Sequence, residues 1–144
     1  KEEIHNMLHN YKLNKIKLYI SCINKCPIIG IINNKTIINE ITHYLQYENI
    51  NEFCISDTCG ELDFNNFKII IDNLIKLINT NKISLHLHVS NDNLENISKI
   101  INYAINNNIL KFDVSYFKNM GGCSVTIEDK LNGNLTYDML EKYL

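Results

Sequence analysis

Short β-rich runs alternate with longer amphipathic runs along almost the whole of this 144-residue chain. The β-rich runs, in which β-branched and aromatic residues are common, cover residues 17–23, 52–56, 83–89 and 111–117. They begin roughly 28 to 35 residues apart, which is the spacing of a strand–helix repeat. This alternation restricts the fold to the α/β class, with strands that are connected by helices.

The runs between the predicted strands carry apolar residues at helical spacing. Each follows a polar segment that suits the beginning of a helix, namely NNKT, ELDFNN and SNDN. The apolar positions are Ile37, Ile38, Ile41, Tyr44 and Leu45, then Phe67, Ile70, Ile71, Leu74 and Ile78, then Leu94, Ile97, Ile101, Ala104 and Ile105. Further helices are predicted near 2–11 and over 136–144, so we expect four strand–helix units behind a leading helix.

Strands that are joined by helical crossovers run parallel, and each crossover is expected to be right-handed. Two architectures have this repeat, the eight-stranded TIM barrel and the doubly wound nucleotide-binding sheet. No G-x-G-x-x-G run or P-loop follows any predicted strand, so the second architecture has no positive support. A closed barrel takes about 250 residues, so if this fold is a barrel, residues 1–144 would form a single partial barrel domain.

The polar and reactive residues follow the ends of the predicted strands. In a barrel, active residues lie at the carboxyl ends of the strands and in the loops just after them. Those ends carry Cys22 and Cys26, then Cys54, Asp57 and Thr58, then His86 and His88, and finally the loop NMGGCS. The sequence therefore predicts that these polar and reactive residues lie together at one rim of the barrel.

The third predicted strand, SLHLHVS, places His86 and His88 two residues apart. Side chains alternate along a strand, so both imidazoles point to one face while Leu85, Leu87 and Val89 point to the other. The pair fits two hydrogen-bonded histidines of the core or rim, and it equally fits two ligands of a metal ion. This stretch alone leaves both interpretations open.

Five cysteines, an odd number, are scattered without the C-x-x-C spacing of a zinc site or a redox dithiol. Reduced thiols in a reducing compartment fit this pattern best. Cys22 and Cys26 could in principle form a disulfide, but an intracellular domain of this size needs no such cross-link.

The composition excludes several classes of function. A hydrophobic content of 45% predicts an ordered core, and a net charge of −2 provides no basic surface for nucleic acid or an anionic membrane. No apolar run approaches the roughly 20 residues of a membrane span, and the beginning, KEEIHNMLHNYK, lacks the apolar core of a signal peptide. We therefore expect a soluble intracellular protein that acts on small molecules.

Five motifs, in their order and approximate spacing, resemble hydroxymethylglutaryl-CoA (HMG-CoA) lyase. They are YISCINKCPIIG, EFCISDTCG, LHLH, MGGC and GNLTYDML, and the resemblance covers residues 17–144. The histidine pair is common to a superfamily of metal-dependent barrel lyases and synthases, whereas the Gly-Gly-Cys loop and the Ser-Cys…Cys-Pro strand are similar to the lyase specifically. The resemblance implies strands five to eight of the family barrel, working in the mitochondrial matrix of eukaryotes or the cytoplasm of bacteria.

The resemblance implies a divalent cation at the mouth of the barrel, bound by His86, His88 and Asn134. Asn134 matches the family's amide ligand, and an amide oxygen suits Mg²⁺ or Mn²⁺, with Zn²⁺ as a further option. Read without the resemblance, Asn134 after Gly133 also fits a turn or helix-capping residue in an asparagine-rich chain.

The resemblance also implies catalytic roles for Cys123 and Asp57. The family's reaction is a retro-Claisen cleavage of a 3-hydroxyacyl-CoA into acetyl-CoA and acetoacetate, in which a base removes the hydroxyl proton and an acid protonates the enolate. Cys123 matches the catalytic cysteine, which acts as the acid, and Asp57 matches a carboxylate that handles the hydroxyl proton. Gly121 and Gly122 would let the loop fold over the site. On residue type alone, Asp57 also fits a simple turn and Cys123 an inert thiol.

Two departures from the family keep other functions open. Val89 and Ser90 follow the second histidine, where the family usually has a polar or acidic pair that supports the metal ligands. The family's first four strands, with an arginine, an aspartate and a glutamate, have no counterpart here. We expect either that they belong to a longer protein or that chains associate as a homo-oligomer to close a barrel. The alternative functions are an inactive half-barrel with an assembly role and a related synthase that condenses an acyl-CoA with an oxo acid.

Overall fold

The structure is a computed structural model that describes residues 2–10, 15–118, 120–121 and 133–144. Its helices are α1 (Glu2–Asn10), α2 (Asn34–Tyr44), α3 (Phe64–Leu74), α4 (Leu94–Asn106) and α5 (Tyr137–Leu140). Its strands are β1 (Ile16–Ile20), β2 (Lys25–Cys26), β3 (Gly30–Ile31), β4 (Ile50–Ser56), β5 (Ile83–His86), β6 (His88–Val89), β7 (Lys111–Asp113) and β8 (Gly133–Asn134). Within the described ranges, no helix is both long and apolar enough to cross a membrane.

Strands β1, β4, β5 and β7 form one parallel sheet, and each strand lies beside the next one along the chain. The order runs in one direction only, whereas it would reverse at the switch point of a doubly wound sheet. Helices α2, α3 and α4 connect successive strands as crossovers. The predicted α/β class and the half-barrel architecture are therefore confirmed.

Local hydrogen bonds explain where two of these helices begin. Asn33 accepts a hydrogen bond from the backbone N–H of Lys35 (2.8 Å), and Asp63 accepts from those of Asn65 and Asn66 (2.9 and 3.1 Å). Such caps satisfy amide donors that have no partner within the helix. The residues that the three crossover helices bury are Ile37, Ile41, Tyr44, Phe67, Ile70, Ile71, Leu74, Ile97, Ile100, Ile101 and Ala104.

The two faces of the parallel sheet differ in chemistry. Phe53, Ile55, Ile83 and Leu85 are buried on the face that packs against the helices, which is where the core lies. Alternation along the strands places polar residues on the opposite face. This polar face consists of Lys17, Tyr19, Glu52, Cys54, Ser84, His86, Lys111 and Asp113.

Several strand boundaries differ from the prediction. The first strand ends at Ile20, because Cys22 and Asn24 have φ of +61° and +70°, and a small β2–β3 hairpin follows that the sequence did not predict. The third breaks at Leu87, whose carbonyl accepts a hydrogen bond from the N–H of Leu135 (2.8 Å). β6 then pairs antiparallel with β8. The fourth strand ends at Asp113, and the closing helix is a short α5 continued by a 3₁₀ turn over Glu141–Tyr143.

Candidate metal and catalytic site

His86 and His88 meet at the carboxyl end of β5. Their ring centroids lie 5.1 Å apart, although the break at Leu87 separates the two residues. His86 is in register with Ser56 on one side and Asp113 on the other, and His88 is in register with Asn134 of β8. The fold thus brings together the three residues that the sequence predicts as metal ligands.

The side-chain oxygen of Asn134 is buried and makes no well-formed hydrogen bond to the described residues, although the Asn134 side chain lies close enough to the His88 ring to raise the pKa of that imidazole. A buried polar atom without a partner costs roughly 1–3 kcal/mol, so native proteins rarely keep one without a ligand or water. An amide oxygen accepts hydrogen bonds or coordinates cations, and this one stands beside two imidazoles. The donor set therefore fits a cation at this position.

The two histidines are held in the form that binds metals. The Nδ1 atom of His88 lies 3.2 Å from the carbonyl oxygen of Thr58, and because a carbonyl only accepts, Nδ1 carries the proton. The lone pair of His88 is then on Nε2. Burial lowers the pKa of both imidazoles, and His88 lowers that of His86 further, so both are neutral near pH 7. In this chain the Thr58 carbonyl is the hydrogen-bond partner that orients His88. Val89 and Ser90 stand where the family usually has a polar or acidic pair for such a purpose.

A fixed carboxylate stands beside His86. Asp113 Oδ2 lies 3.8 Å from His86 Nδ1, which is itself buried without a hydrogen-bond partner among the described residues. Lys17 Nζ and Tyr19 Oη donate hydrogen bonds to Asp113 (2.5 and 2.7 Å). Burial opposes its ionisation, but these hydrogen bonds lower the pKa of Asp113 below its ordinary value. Asp113 is thus a charged group aimed at the histidine pair.

Sequence reasoning missed this part of the site. Lys17 also contacts Glu52 (3.0 Å), and Lys111 reaches the other oxygen of the same carboxylate (3.0 Å), so the polar face carries a continuous charge network. Burial opposes its ionisation, but the nearby Ser84 hydroxyl and the ammonium groups of Lys17 and Lys111 hold the pKa of Glu52 at about 2. The alternation of charged and apolar residues within the predicted strands could have indicated that these charged residues share one face of the sheet.

Asp57 is buried, and its carboxylate faces its own loop. It accepts hydrogen bonds from the backbone N–H groups of Glu61 (3.2 Å) and Leu62 (3.1 Å). Burial raises the pKa of Asp57 to about 6, against the opposing effect of these donors. The structure thus gives Asp57 the turn-stabilising role that its residue type allows, while its catalytic role stays a prediction. By fixing the turn, Asp57 also fixes Thr58 beside His88.

Gly121 packs directly against the side chain of Asn134. Its φ of +72° lies in the left-handed region, and a Cβ atom there would overlap Nδ2 of Asn134 and lie only 2.6 Å from its Cγ. A side chain at this position would therefore displace Asn134. Gly122 and Cys123 lie outside the described residues, so the loop movement and the acid role predicted for them stay predictions.

The candidate ligand set is two imidazoles and one amide. Across the described part of the chain, no group of three or more His, Cys, Asp or Glu side chains has a geometry that could hold a metal ion. A cation bound by His86, His88 and Asn134 would therefore need further ligands, since Mg²⁺ and Mn²⁺ prefer six.

A pocket of about 500 Å³ opens next to Asn134, between β6, β8 and the beginning of α4. Val89, Ser90 and Leu94 line one side of it, and Lys118 and Lys142 add positive charge. The pocket therefore adjoins the candidate cation site and suits a ligand that carries negative charge.

Comparison with solved structures finds similarity to several HMG-CoA lyases. The enzyme from Bacillus subtilis matches with a TM-score of 0.74 and 21% identity over 98% of this chain and 45% of its own. The enzyme from Pseudomonas aeruginosa gives 0.75 and 22% over 98% and 45%. The structure from Acinetobacter baumannii, in complex with coenzyme A and 3-methylmalate, gives 0.74 and 21% over 97% and 43%.

This chain spans less than half the length of those structures, and the match fits the carboxyl-terminal half-barrel that the sequence predicts. No family model and no curated protein matches the sequence. At 21–22% identity the likeness concerns the fold. The chain has the fold of part of an HMG-CoA lyase barrel.

Proposed function

We propose that this chain provides the carboxyl-terminal half of a divalent-metal lyase site, which cleaves a 3-hydroxyacyl-CoA of the HMG-CoA type into acetyl-CoA and acetoacetate. The observation that carries the proposal is the buried amide oxygen of Asn134, which makes no well-formed hydrogen bond within the described residues and lies beside His88 and near His86. The likeness of the fold to HMG-CoA lyases supports the same assignment.

His86, His88 and Asn134 would hold the cation, with Mg²⁺ or Mn²⁺ favoured by the amide oxygen. When bound, such a cation acts as a Lewis acid toward the oxygen of the substrate. Thr58 keeps His88 in the tautomer that leaves Nε2 available, and Asp113 provides negative charge next to His86.

Asp57 would receive the hydroxyl proton of the substrate, and Cys123 would protonate the enolate carbon. A carboxyl group with a pKa near 6 is a suitable base close to neutral pH. For this role Asp57 exchanges one of its hydrogen bonds to the Glu61–Leu62 amides for the hydroxyl group of the substrate. The 500 Å³ pocket, with Lys118 and Lys142, would bind part of the coenzyme A moiety through its phosphates.

The active protein would contain four further strands, either from a longer chain of which this is part or from an associated copy. β1 and β7 form the two edges of the sheet, and edge strands present backbone groups that a neighbouring strand can pair with. Exposed apolar residues follow both edge strands along the chain: Ile28, Ile29 and Ile31 lie in the hairpin after β1, and Tyr116 and Phe117 come after β7. Such residues are typical of a surface that another part of a protein covers.

The test measures Mn²⁺ binding to the native protein that contains this chain. Isothermal calorimetry gives the affinity, and paramagnetic broadening of the histidine NMR signals shows which histidines lie next to the ion. His86→Ala should weaken binding at least about 10-fold, since it removes one of three protein ligands. His43→Ala is the matched control, because His43 is an exposed histidine on α2 and should leave affinity unchanged. Equal affinity in wild type and His86→Ala would refute the site.

Activity separates the lyase from its alternatives. Release of acetoacetate from HMG-CoA by the native protein is the expected result. Metal binding without any turnover would instead favour the inactive half-barrel, and condensation of acetyl-CoA with an oxo acid would favour the synthase.

A further inference from the structure

Three cysteines gather at the rim of the sheet, away from the polar face. Cys22 follows β1, Cys26 ends β2 and Cys59 lies in the loop after β4. Cys22 and Cys26 are both half-buried and both border the Thr58–Cys59 loop, since the N–H of Cys22 donates to Thr58 and Cys59 donates to the residue before Cys26. The Cys22 side chain is near enough to lower the pKa of the Cys26 thiol. The thiol of Cys59 donates to the carbonyl oxygen of Lys25 (3.4 Å).

Cys26 differs chemically from the other described cysteines. The backbone N–H groups of Ile29 and Ile28 point at its sulfur and lower the pKa of its thiol, and the hydrogen bond from Cys22 acts in the same direction. Burial instead raises the pKa of Cys54 to about 12 and that of Cys59 to about 11. The turn of the β2–β3 hairpin therefore favours a thiolate at Cys26 and at neither of these other two positions.

The backbone around Cys22 is unusual and is tied to a neighbouring loop. Its φ of +61° lies in the left-handed region, which residues with a side chain rarely adopt. The N–H of Cys22 donates to the hydroxyl oxygen of Thr58 (2.8 Å), and that of Ile23 donates to the carbonyl of Ser56 (3.3 Å). These bonds fix the backbone of Cys22 and connect it to the end of β4 and to the loop that follows.

We propose that Cys22 and Cys26 form a redox-active dithiol that reacts with low-molecular-weight disulfides such as glutathione disulfide. The Cys26 thiolate attacks one sulfur of the small disulfide, which releases one thiolate and leaves a mixed disulfide on Cys26. Cys22 then loses its proton to solvent and attacks the Cys26 sulfur, so that the second small thiolate leaves. The protein loses two hydrogens in total, and the small disulfide is reduced to two thiols.

Oxidation of Cys22 and Cys26 would change the surroundings of His88 through the hydrogen bonds of Thr58. The Thr58 hydroxyl binds the backbone of Cys22, while the Thr58 carbonyl binds Nδ1 of His88. A disulfide that shifts the Cys22 backbone therefore changes the surroundings of the His88 ring. The coupling between Cys22 and His88 runs through hydrogen bonds only, so it is present whether or not a metal binds.

The test is reaction of the reduced native protein with glutathione disulfide, followed by alkylation, trypsin digestion and mass spectrometry. Trypsin places Cys22 in peptide 18–25, Cys26 in peptide 26–35, and both Cys54 and Cys59 in peptide 36–68. The expected product links the first two peptides, or is peptide 18–35 two hydrogens lighter if Lys25 is not cleaved. A dominant link to peptide 36–68 or to the Cys123 peptide, or no disulfide at all, would overturn the proposal.

Single variants separate the two steps. Cys22→Ser should stop at a stable glutathione adduct on Cys26, whereas Cys26→Ser should react at least about 10-fold more slowly and form no disulfide between the two peptides. Cys59→Ser is the matched control and should oxidise like the wild type. The NMR signals of the His88 ring should shift on oxidation of the wild type but not of Cys26→Ser, and unchanged signals would refute the coupling through Thr58.

Discussion

At the scale of single residues, the contact between Gly121 and Asn134 decides whether the candidate ligands stay together. Gly121→Ala should weaken Mn²⁺ binding by the native protein about 10-fold, because the added methyl group overlaps the Asn134 side chain and moves its oxygen away from the histidines. Calorimetric titration of both proteins with Mn²⁺ measures the difference.

Gly30→Ala is the matched control for this prediction. Gly30 also has a positive φ, of +81°, but a Cβ atom there meets nothing within 4 Å. Both variants thus introduce backbone strain, and only Gly121→Ala disturbs Asn134. If the two variants bind Mn²⁺ equally well, Asn134 does not contribute a ligand.

The raised pKa of Asp57 predicts a particular dependence of stability on pH. Burial raises its pKa in the folded protein to about 6, above the ordinary 3.8, so the folded state holds this proton more tightly than the unfolded state does. Its contribution to stability is therefore complete below about pH 4 and is lost as the pH rises through 6. Relative to Asp57→Asn, wild type should lose up to about 3 kcal/mol of unfolding free energy between pH 4 and pH 7.

Urea denaturation of both proteins at the two pH values measures this change. A carboxyl ¹³C titration of Asp57 with a midpoint near pH 6 would agree with it independently. A midpoint near or below 4 would mean that the loop amides outweigh burial, and the proposed base would then be ionised at all working pH values.

At the scale of elements, the charge network joins strands that lie far apart in the sequence. Lys17 on β1 bridges Asp113 on β7 and Glu52 on β4. Replacing it by methionine, which keeps the length of the side chain, leaves two partly buried carboxylates without this partner. Lys17→Met should therefore lower the unfolding free energy by about 1–2 kcal/mol at pH 7.

The effect of Lys17→Met should shrink in acid. The pKa of Glu52 is held at about 2 and that of Asp113 is also lowered, so the stabilisation is present above about pH 4 and is lost as the pH falls toward 2. Lys99→Met is the control, because Lys99 pairs with Glu95 on the exposed side of α4 and should change stability by less than about 0.5 kcal/mol. Equal losses in both variants would contradict a structural role for the network.

The sequence predicts the elements of this fold better than it predicts their ends and contacts. The periods of apolar residues identify the crossover helices and the parallel strands, because burial against one core imposes those periods directly. The break at Leu87 and the β6–β8 pair depend on a partner 46 residues away, at Asn134, and no local pattern encodes that. Asp113 was overlooked for a similar reason, since its partners Lys17 and Tyr19 lie more than 90 residues away in sequence.

At the scale of the whole molecule, the two sheet edges carry the last prediction. If four further strands complete the barrel, the amides of β1 and β7 that point away from the sheet acquire hydrogen-bond partners in the native protein. They should then exchange with deuterium at least about 100-fold more slowly than amides of the same sequence in an unstructured peptide. Native hydrogen exchange with mass spectrometry resolves these segments. Exchange of these outward amides at the rate of the unstructured peptide would mean that the sheet stays open, and the native protein would then lack the second half that the proposed site requires.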